Sequence, residues 1–364
     1  MMDRMLRVGI IGASAERGWA KISHVPAVQE LAGLTLAAVA TNRQKSADAA
    51  ASAFGAEKGY GDAQDLFRDP AIDIVVIAVK VPDHRELVLA AAAAGKHVFC
   101  EWPLGCNLAE AEELAAAVRA SGVHAAIGLQ ARMNPAARRA HDLIASGTIG
   151  RVLSAHIVST TAAFGPKMEP ALAFAEDAAN GVTLVTIQGA HSFDLAIAVL
   201  GDLSEASGLA TTQYPQVQIG DDAAWRPRST PDHILLQGRL ARQAALSIEV
   251  AGGRPSGAVP FRFEITGDKG SLVLEGGALR GFQSGRLRLL LDGEEQPVEE
   301  GEAAGLPDAA VNVAAIYTAL RDDILNGTFT VPGFDHAVRL TRLVEDMLAS
   351  STTGTRRLAT NWPG

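Results

Sequence analysis

Over its first 130 residues the chain alternates short apolar runs with helix-like, Ala-rich segments, and the first run ends on a glycine. No other feature of the sequence restricts the fold as much. Residues 6–11 (LRVGII) read as a buried strand stopped at Gly12, and 24–31 as a helix. A strand at 34–41, a helix at 44–54 closed by Gly55, a helical turn at 65–68 and a strand at 72–79 follow, the last apolar enough to be covered on both faces. A helix at 83–94 stopped by Gly95, a strand at 97–100, a helix at 108–121 and a strand at 124–129 complete the series. This alternation requires a parallel sheet with helices on both faces, and right-handed crossovers make it doubly wound. The expected class is α/β, with an N-terminal Rossmann domain over 1–130.

The pattern changes after Leu129. A helix at 135–146, an alternating strand at 152–160 and a long helix at 182–200 precede a strand-rich stretch: ILLQGRL, AALSIEV, FRFEITG, GSLVLEG and RLRLLL. Gly-bearing turns separate these runs and predict antiparallel meanders; helices at 311–326 and 334–350 close the chain. Residues 131–364 are therefore expected to form an α+β substrate and oligomerisation domain with a large, mostly antiparallel sheet. A half-exposed sheet of this kind points to a homo-oligomer. The stretch 211–232 holds three prolines and no periodicity, so it reads as a long loop.

A length of 364 residues supports two domains, and 48% hydrophobic with 20% charged residues describes a packed globular chain. The formal charge of −9 opposes nucleic-acid binding, which needs clustered Lys and Arg. Cys100 and Cys106, the two cysteines, read as unbridged thiols of a reducing compartment. No signal-peptide pattern opens the sequence, and the longest apolar run, 87–95, is too short to span a bilayer. The expectation is a soluble, cytoplasmic protein with no metal centre, no membrane and no nucleic-acid partner.

The turn after the first strand carries the first chemical signal. In VGIIGASAERG (8–18), Gly12 permits a tight turn, Ser14 lets the backbone approach a pyrophosphate, and the following helix start offers free N–H groups and a positive dipole end. The fit to GxGxxG is imperfect: Ser14 stands at the second glycine and Gly18 is displaced. The end of the second strand discriminates between dinucleotides. It reads Thr41-Asn42-Arg43 with Lys45 nearby and no carboxylate, which favours the 2′-phosphate of NADP over NAD. The alternative is that Arg43 and Lys45 are solvated charges at a helix start.

Several segments together resemble one family: VGIIGA, HVPAV (24–28), IAVKVPDH (77–84), AGKHVFCEWPLGCNLAEAEEL, QARMNP (130–135), SGTIGRV and GAHSFDL (189–195). The chain resembles the glucose–fructose oxidoreductase/inositol dehydrogenase/rhizopine-catabolism (Gfo/Idh/MocA) family along nearly its whole length. Within it, the similarity is greatest to the non-enzymatic galactose-pathway-repressor-like (Gal80-like) branch, at Arg17-Gly18-Trp19, Glu101-Trp102, Asn180-Gly181-Val182 and Pro231-Asp232-His233-Ile234. The resemblance implies NAD(P)-dependent oxidoreduction of a sugar-like or polyol substrate. The branch implies a dinucleotide-binding sensor with a small-molecule effector and a regulatory protein partner.

The resemblance also assigns residues. The dinucleotide is expected against Gly9, Gly12, Ser14, Arg17, Gly18, Trp19, Thr41, Asn42, Arg43, Val79, Lys80, His84, Glu101, Trp102 and Gln130, with Glu101 on the nicotinamide-side ribose. Active members carry Glu-Lys-Pro where this chain has Glu101-Trp102-Pro103, and an Asp where it has Ile187. His191 is then the candidate proton acceptor or a core histidine, and Asp194 orients it or serves the local helix. Trp102 is a platform for a sugar ring or nicotinamide, or core filling. Lys80 supplies a displaced ammonium or faces solvent or phosphate. Arg132 and Asn134 line a cleft between the domains or start a helix. Gln188 and His233 are pocket candidates, while Asp232 and His233 can equally serve their loop.

Overall fold

The computed structural model describes residues 4–221, 224–255, 259–359 and 362. The chain divides into two compact units. The first contains a six-stranded parallel sheet of β1 (Leu6–Ile11), β2 (Leu34–Ala40), β3 (Lys58–Tyr60), β4 (Ile74–Ile77), β5 (His97–Cys100) and β6 (Ala125–Ile127), in the order β3-β2-β1-β4-β5-β6. That is the Rossmann order. Its crossovers carry α1 (Trp19–Ile22), α2 (His24–Glu30), α3 (Gln44–Phe54), α4 (Ala63–Arg68), α5 (His84–Ala93) and α6 (Leu108–Ser121). Leu6, Val8 and Ile10 on one face of β1 are wholly buried, and Gly9 and Ile11 on the other are buried too, as a central strand covered on both faces requires. The edge strand β3 was not legible in the sequence: three residues beginning on an exposed Lys58 have no alternation, and only pairing with Ala38, Val39 and Ala40 makes them a strand.

The second stretch of sequence is not one continuous domain. The first unit comprises Met1–Gln130 and Glu300–Val338. The reason lies in packing. Within the first unit, Tyr317, wholly buried on the helix at Asp308–Asn326, packs edge-on against Phe99 of β5 with ring centroids 4.9 Å apart. Beyond that helix, Asp323 accepts hydrogen bonds from Thr328 and Thr330 hydroxyls and from the Thr330 and Val331 amides, and the Pro332 carbonyl accepts from Ile127 of β6.

The second unit, Ala131–Glu299 with Arg339–Gly364, opens with α7 (Pro135–Ala145), whose first turn Asn134 caps by accepting from Ala136 N at 3.0 Å. Its strands are β7 (Val152–Thr160), β8 (Lys167–Met168), β9 (Leu203–Thr211), β10 (Gln216–Ile219), β11 (Arg226–Pro227), β12 (His233–Leu240), β13 (Ala245–Ala251), β14 (Phe261–Gly267), β15 (Ser271–Gly276), β16 (Leu287–Leu291), β17 (Glu294–Gln296) and β18 (Arg357–Leu358). Nine of them form a sheet in the order β17-β16-β15-β14-β7-β13-β12-β9-β18, antiparallel except where β7 lies parallel to β13. Its inner face carries the row Leu236, Ile248, Ile157, Phe263, Leu274 and Leu289, all at most 3% exposed, as strand alternation demands. Helix α8 (Ala190–Leu200) is buried along nearly its whole length in this unit.

One expectation is corrected here. The segment 211–232 is not one loop, because β10 pairs in parallel with β8 and antiparallel with β11. The resulting small sheet has its own core of Met168, Ala175 and Val217. Its strands are two to four residues long and gain their pairing from a segment about fifty positions earlier, so no local periodicity announces them. The long helix expected over 182–200 is present, as a π-helical turn, Val185–Gly189, running directly into α8. The helical stretch Ala178–Leu200 is long and apolar enough to cross a membrane by length and composition, with 78% of its apolar window buried inside the protein. A core helix passes the same test.

Candidate functional site

The Rossmann strand order brings the ends of β1, β2, β4 and β5 to one edge of the sheet, where α/β folds bind ligands. At the end of β1, Gly12 has φ +95°, and a Cβ there would lie 2.4 Å from the Ala78 carbonyl oxygen. Only glycine closes this corner, so the first turn and the loop after β4 lie against each other. Ser14 Oγ accepts from Glu16 N at 3.3 Å, and Lys21 Nζ donates to the Ala15 and Glu16 carbonyls at 2.7 and 3.2 Å. Arg17 and Gly18 are exposed, and Gly18, with φ +116°, has no atom within 4 Å of a Cβ position. The expected dipole end is reduced here: α1 has four residues and breaks at Ser23, so backbone amides rather than a long helix face the turn.

At the end of β2, the Thr41 and Ser46 hydroxyls lie 2.6 Å apart and both donate to or share the Arg43 carbonyl, while Asn42, Arg43 and Lys45 are exposed. At the end of β4, Val79 is half-buried and Lys80 exposed. His84 is wholly buried, its Nε2 3.2 Å from the Val79 carbonyl and its Nδ1 2.9 Å from the Pro103 carbonyl. Burial holds its pKa below the ordinary imidazole value. It shapes two loops of the crevice from beneath instead of lining it. Gly9 is likewise internal: it lies within β1 with Leu66 against its Cα.

At the end of β5, Glu101 Oε1 accepts from His24 Nε2 at 2.9 Å, and His24 Nδ1 is 2.8 Å from the Tyr317 hydroxyl. Trp102 is 7% exposed and forms a cis peptide bond with Pro103. Among the residues expected to hold the dinucleotide, two buried polar atoms lack a hydrogen-bond partner in the protein: the Trp19 indole Nε1, a donor, and the Gln130 side-chain oxygen, an acceptor. Buried groups of this kind are normally satisfied. A glycine-closed corner at a sheet switch edge, with a spare donor, a spare acceptor and a partly exposed carboxylate, fits a dinucleotide.

In the second unit, His191 (3% exposed) and Asp194 (wholly buried) lie one turn apart on α8. Arg132 Nη1 pairs with Asp194 Oδ1 at 2.7 Å, so a guanidinium neutralises this carboxylate. Ile187 lies in the π-helical turn, and Gln188 donates to Ser159 Oγ at 2.9 Å. Asn134 caps α7, the helix-entry role. Asn180 donates to the Phe174 carbonyl, Gly181 ends the short 3₁₀ helix Ala178–Asn180 with φ +71°, and Val182 packs on the small sheet's core. Asp232 serves its loop, accepting from the Gln213 and Tyr214 amides and pairing with Arg228 at 3.0 Å. His233 opens β12 and pairs with Glu249 at 3.1 Å.

Sequence reasoning assigned no role to Tyr317 or His24 at the first edge, nor to Arg228. The last is 1% exposed and paired with both Glu176 and Asp232. A buried charge cannot be told from a solvated one by sequence; a histidine amid Ala and Val on a short helix was the available signal for His24.

By fold and site the molecule is a dinucleotide-binding oxidoreductase-type protein. Residues 6–129 match the family model of NAD-binding Rossmann-fold oxidoreductases, and 135–276 that of the Gal80p C-terminal domain. The chain is 30% identical to the dehydrogenase aclE of Aspergillus oryzae, over 97% of its own length and 98% of that protein. To the galactose/lactose metabolism regulatory protein GAL80 of Saccharomyces cerevisiae it is 27% identical over 96% and 93%. The structure of a super-repressor mutant of that Gal80p matches with a TM-score of 0.86 at 26% identity, covering 98% of both chains. Levoglucosan dehydrogenase of Pseudarthrobacter phenanthrenivorans is 28% identical over 62% of this chain and 60% of that one. The chain belongs to the Gfo/Idh/MocA oxidoreductase family.

Proposed function

We propose that this chain is an NAD(P)-dependent oxidoreductase acting on a sugar-like or polyol hydroxyl, with His191 as proton acceptor. The observation that carries the reading is the glycine-closed corner at Gly12, with the Glu101 carboxylate at the end of β5, two strands away along the same end of the parallel sheet. The kinship with dehydrogenases supports it. The turn at 12–19, Thr41 to Arg43, Lys80, Glu101 and Gln130 would hold the dinucleotide, and the nicotinamide when bound supplies the hydride-accepting carbon. Alcohol oxidation releases a proton, which a neutral imidazole takes at neutral pH. Arg132 neutralises Asp194, so His191 does not share its helix turn with a bare buried carboxylate. Trp102 offers an aromatic face to a sugar ring. NADP is preferred over NAD, because exposed Arg43 and Lys45 flank the end of β2 and no carboxylate stands among residues 41–45.

The decisive assay is NADH or NADPH formation across a panel of sugars and polyols. Turnover that falls by about 10²-fold or more in His191→Ala supports the enzyme; equal turnover in that variant sinks the role of His191. Arg43→Ala is expected to weaken NADPH binding with little change for NADH.

A second reading is favoured by Trp102, which stands where active relatives carry lysine, and by the Gal80p-like domain match. In it the chain is a dinucleotide-dependent sensor of a sugar-like effector that docks a regulatory protein. Tight dinucleotide binding without turnover on any substrate supports this reading. Trp102→Lys separates the two further, since a pocket that lacks only its ammonium gains turnover. In either reading the protein is cytoplasmic, its two thiols unbridged, and a homo-oligomer through the outer face of the nine-stranded sheet, where Leu153, Leu209 and Leu235 are exposed. Sedimentation velocity showing only monomer would remove the last point.

A further inference from the structure

The carboxylate at the end of β5 is the outermost link of a buried chain of hydrogen bonds. Tyr317 and His24 are wholly buried, whereas the Glu101 side chain is 15% exposed. Burial, and then the Glu101 charge, push the Tyr317 pKa well up, so its hydroxyl keeps its proton. A buried O–H needs an acceptor, and His24 Nδ1 stands 2.8 Å away. His24 is thereby held as the tautomer protonated on Nε2, which donates to Glu101 Oε1 at 2.9 Å. The imidazole cannot rotate freely within this arrangement. Phe99 packs on it at 5.0 Å and Tyr317 at 5.7 Å between ring centroids, both near-perpendicular, and Trp19 abuts it at 6.5 Å. Behind the carboxylate, a Cβ at Gly128 would fall 2.9 Å from Glu101 Oε1, so the backbone of the loop after β6 closes the remaining side.

A carboxylate held this way keeps one oxygen committed to protein and loses little freedom when the other group it binds arrives. We propose that His24 and Tyr317 are positioning residues, which set the Glu101 carboxylate for the ribose hydroxyls on the nicotinamide side of a bound dinucleotide. A helix from the far end of the sequence then governs one half of the cofactor site. This rests on the dinucleotide reading above.

The test uses the full chain and two probes: NADH, and ADP, which lacks the nicotinamide ribose. In Tyr317→Phe, NADH binding by calorimetry is expected to weaken about tenfold, the worth of one buried hydrogen bond, while ADP binding stays as in wild type. Equal weakening for both probes would mean a general loosening of the fold and overturns the proposal, as does unchanged NADH affinity. Should Tyr317→Phe fail to fold, the wild-type protein with 15N-labelled histidine decides. Ring nitrogen signals of His24 that move with NADH and not with ADP support the assignment; signals that respond alike to both, or to neither, overturn it. A wild-type protein that binds neither probe removes the dinucleotide reading itself, an outcome distinct from any of these.

Discussion

Gly12 joins two constraints at one atom. Its φ of +95° strains any side chain, and its missing Cβ is where the Ala78 carbonyl lies. Gly18 has the first constraint without the second, since nothing surrounds it. Gly12→Ala is therefore expected to cost about 3 kcal/mol, from backbone strain and forced displacement of the loop after β4, and to abolish dinucleotide binding. Gly18→Ala should cost about 1 kcal/mol, from strain alone. Urea unfolding of the two variants measures the difference; equal losses would mean that the close approach to Ala78 contributes nothing. The same distinction explains which site residues were legible. Gly12 stands out after an apolar run, and His191 stands before an apolar helix, whereas nothing in the string couples Tyr317 to His24, 293 positions earlier.

The opposite edge of the parallel sheet makes a different prediction. His97, at the start of β5, accepts the His124 amide at 3.0 Å through Nδ1, and Phe329 stacks on the His124 ring at 4.4 Å. Burial first, then the His124 charge, lower the His97 pKa to about 4 from 6.5, with Asp73 opposing and Arg4 adding to the shift. Burial lowers His124 as well, against the pull of Asp323. The unfolded chain therefore binds these protons before the folded one does. The stability from a neutral His97 is whole above pH 6.5 and is lost as pH falls towards about 4, by on the order of 2 kcal/mol. Unfolding free energies compared at about pH 7 and about pH 4.5 should show that fall in wild type and a shallower one in His97→Gln. Parallel profiles would place the acid-labile group elsewhere. At the level of elements, the segments read at 44–54, 97–100, 108–121 and 152–160 stand in the structure at those bounds. Among the unread strands, β3, β8, β10, β11, β17 and β18 are two to four residues long and exist only by pairing, while the nine residues of β9 carry no apolar alternation and become a strand by pairing with β12.

The first unit is assembled from distant parts of the chain. Its sheet comes from the first 130 residues, but Tyr317 fills the space between β5 and α2, and Pro332 supplies the carbonyl that pairs with Ile127. A fragment of residues 1–130 is thus expected to lack a cooperative thermal transition, because His24, Phe99 and the edge of β6 would be bared. Joining residues 300–338 to it through a flexible linker should restore one. A sharp transition in the short fragment would show that the returning segment is dispensable. By contrast, the second unit's sheet carries a buried row of alternating residues on β12 to β16, consecutive in sequence, with β7 inserted between β13 and β14, and its antiparallel character was readable from ILLQGRL to RLRLLL.

Local periodicity and turn chemistry were sufficient to specify a parallel sheet followed by a mostly antiparallel one, and to mark Gly12 as the tight corner that ends β1. Both depend on neighbours along the chain, so both are written in it. The clamp on Glu101, the pairing of Arg132 with Asp194, and the return of Tyr317 to the first unit depend on contacts between residues far apart in sequence. Side-chain burial and the direction of a hydrogen bond arise only when the elements pack, and that step decided which carboxylates are held and which charge is spent inside the protein.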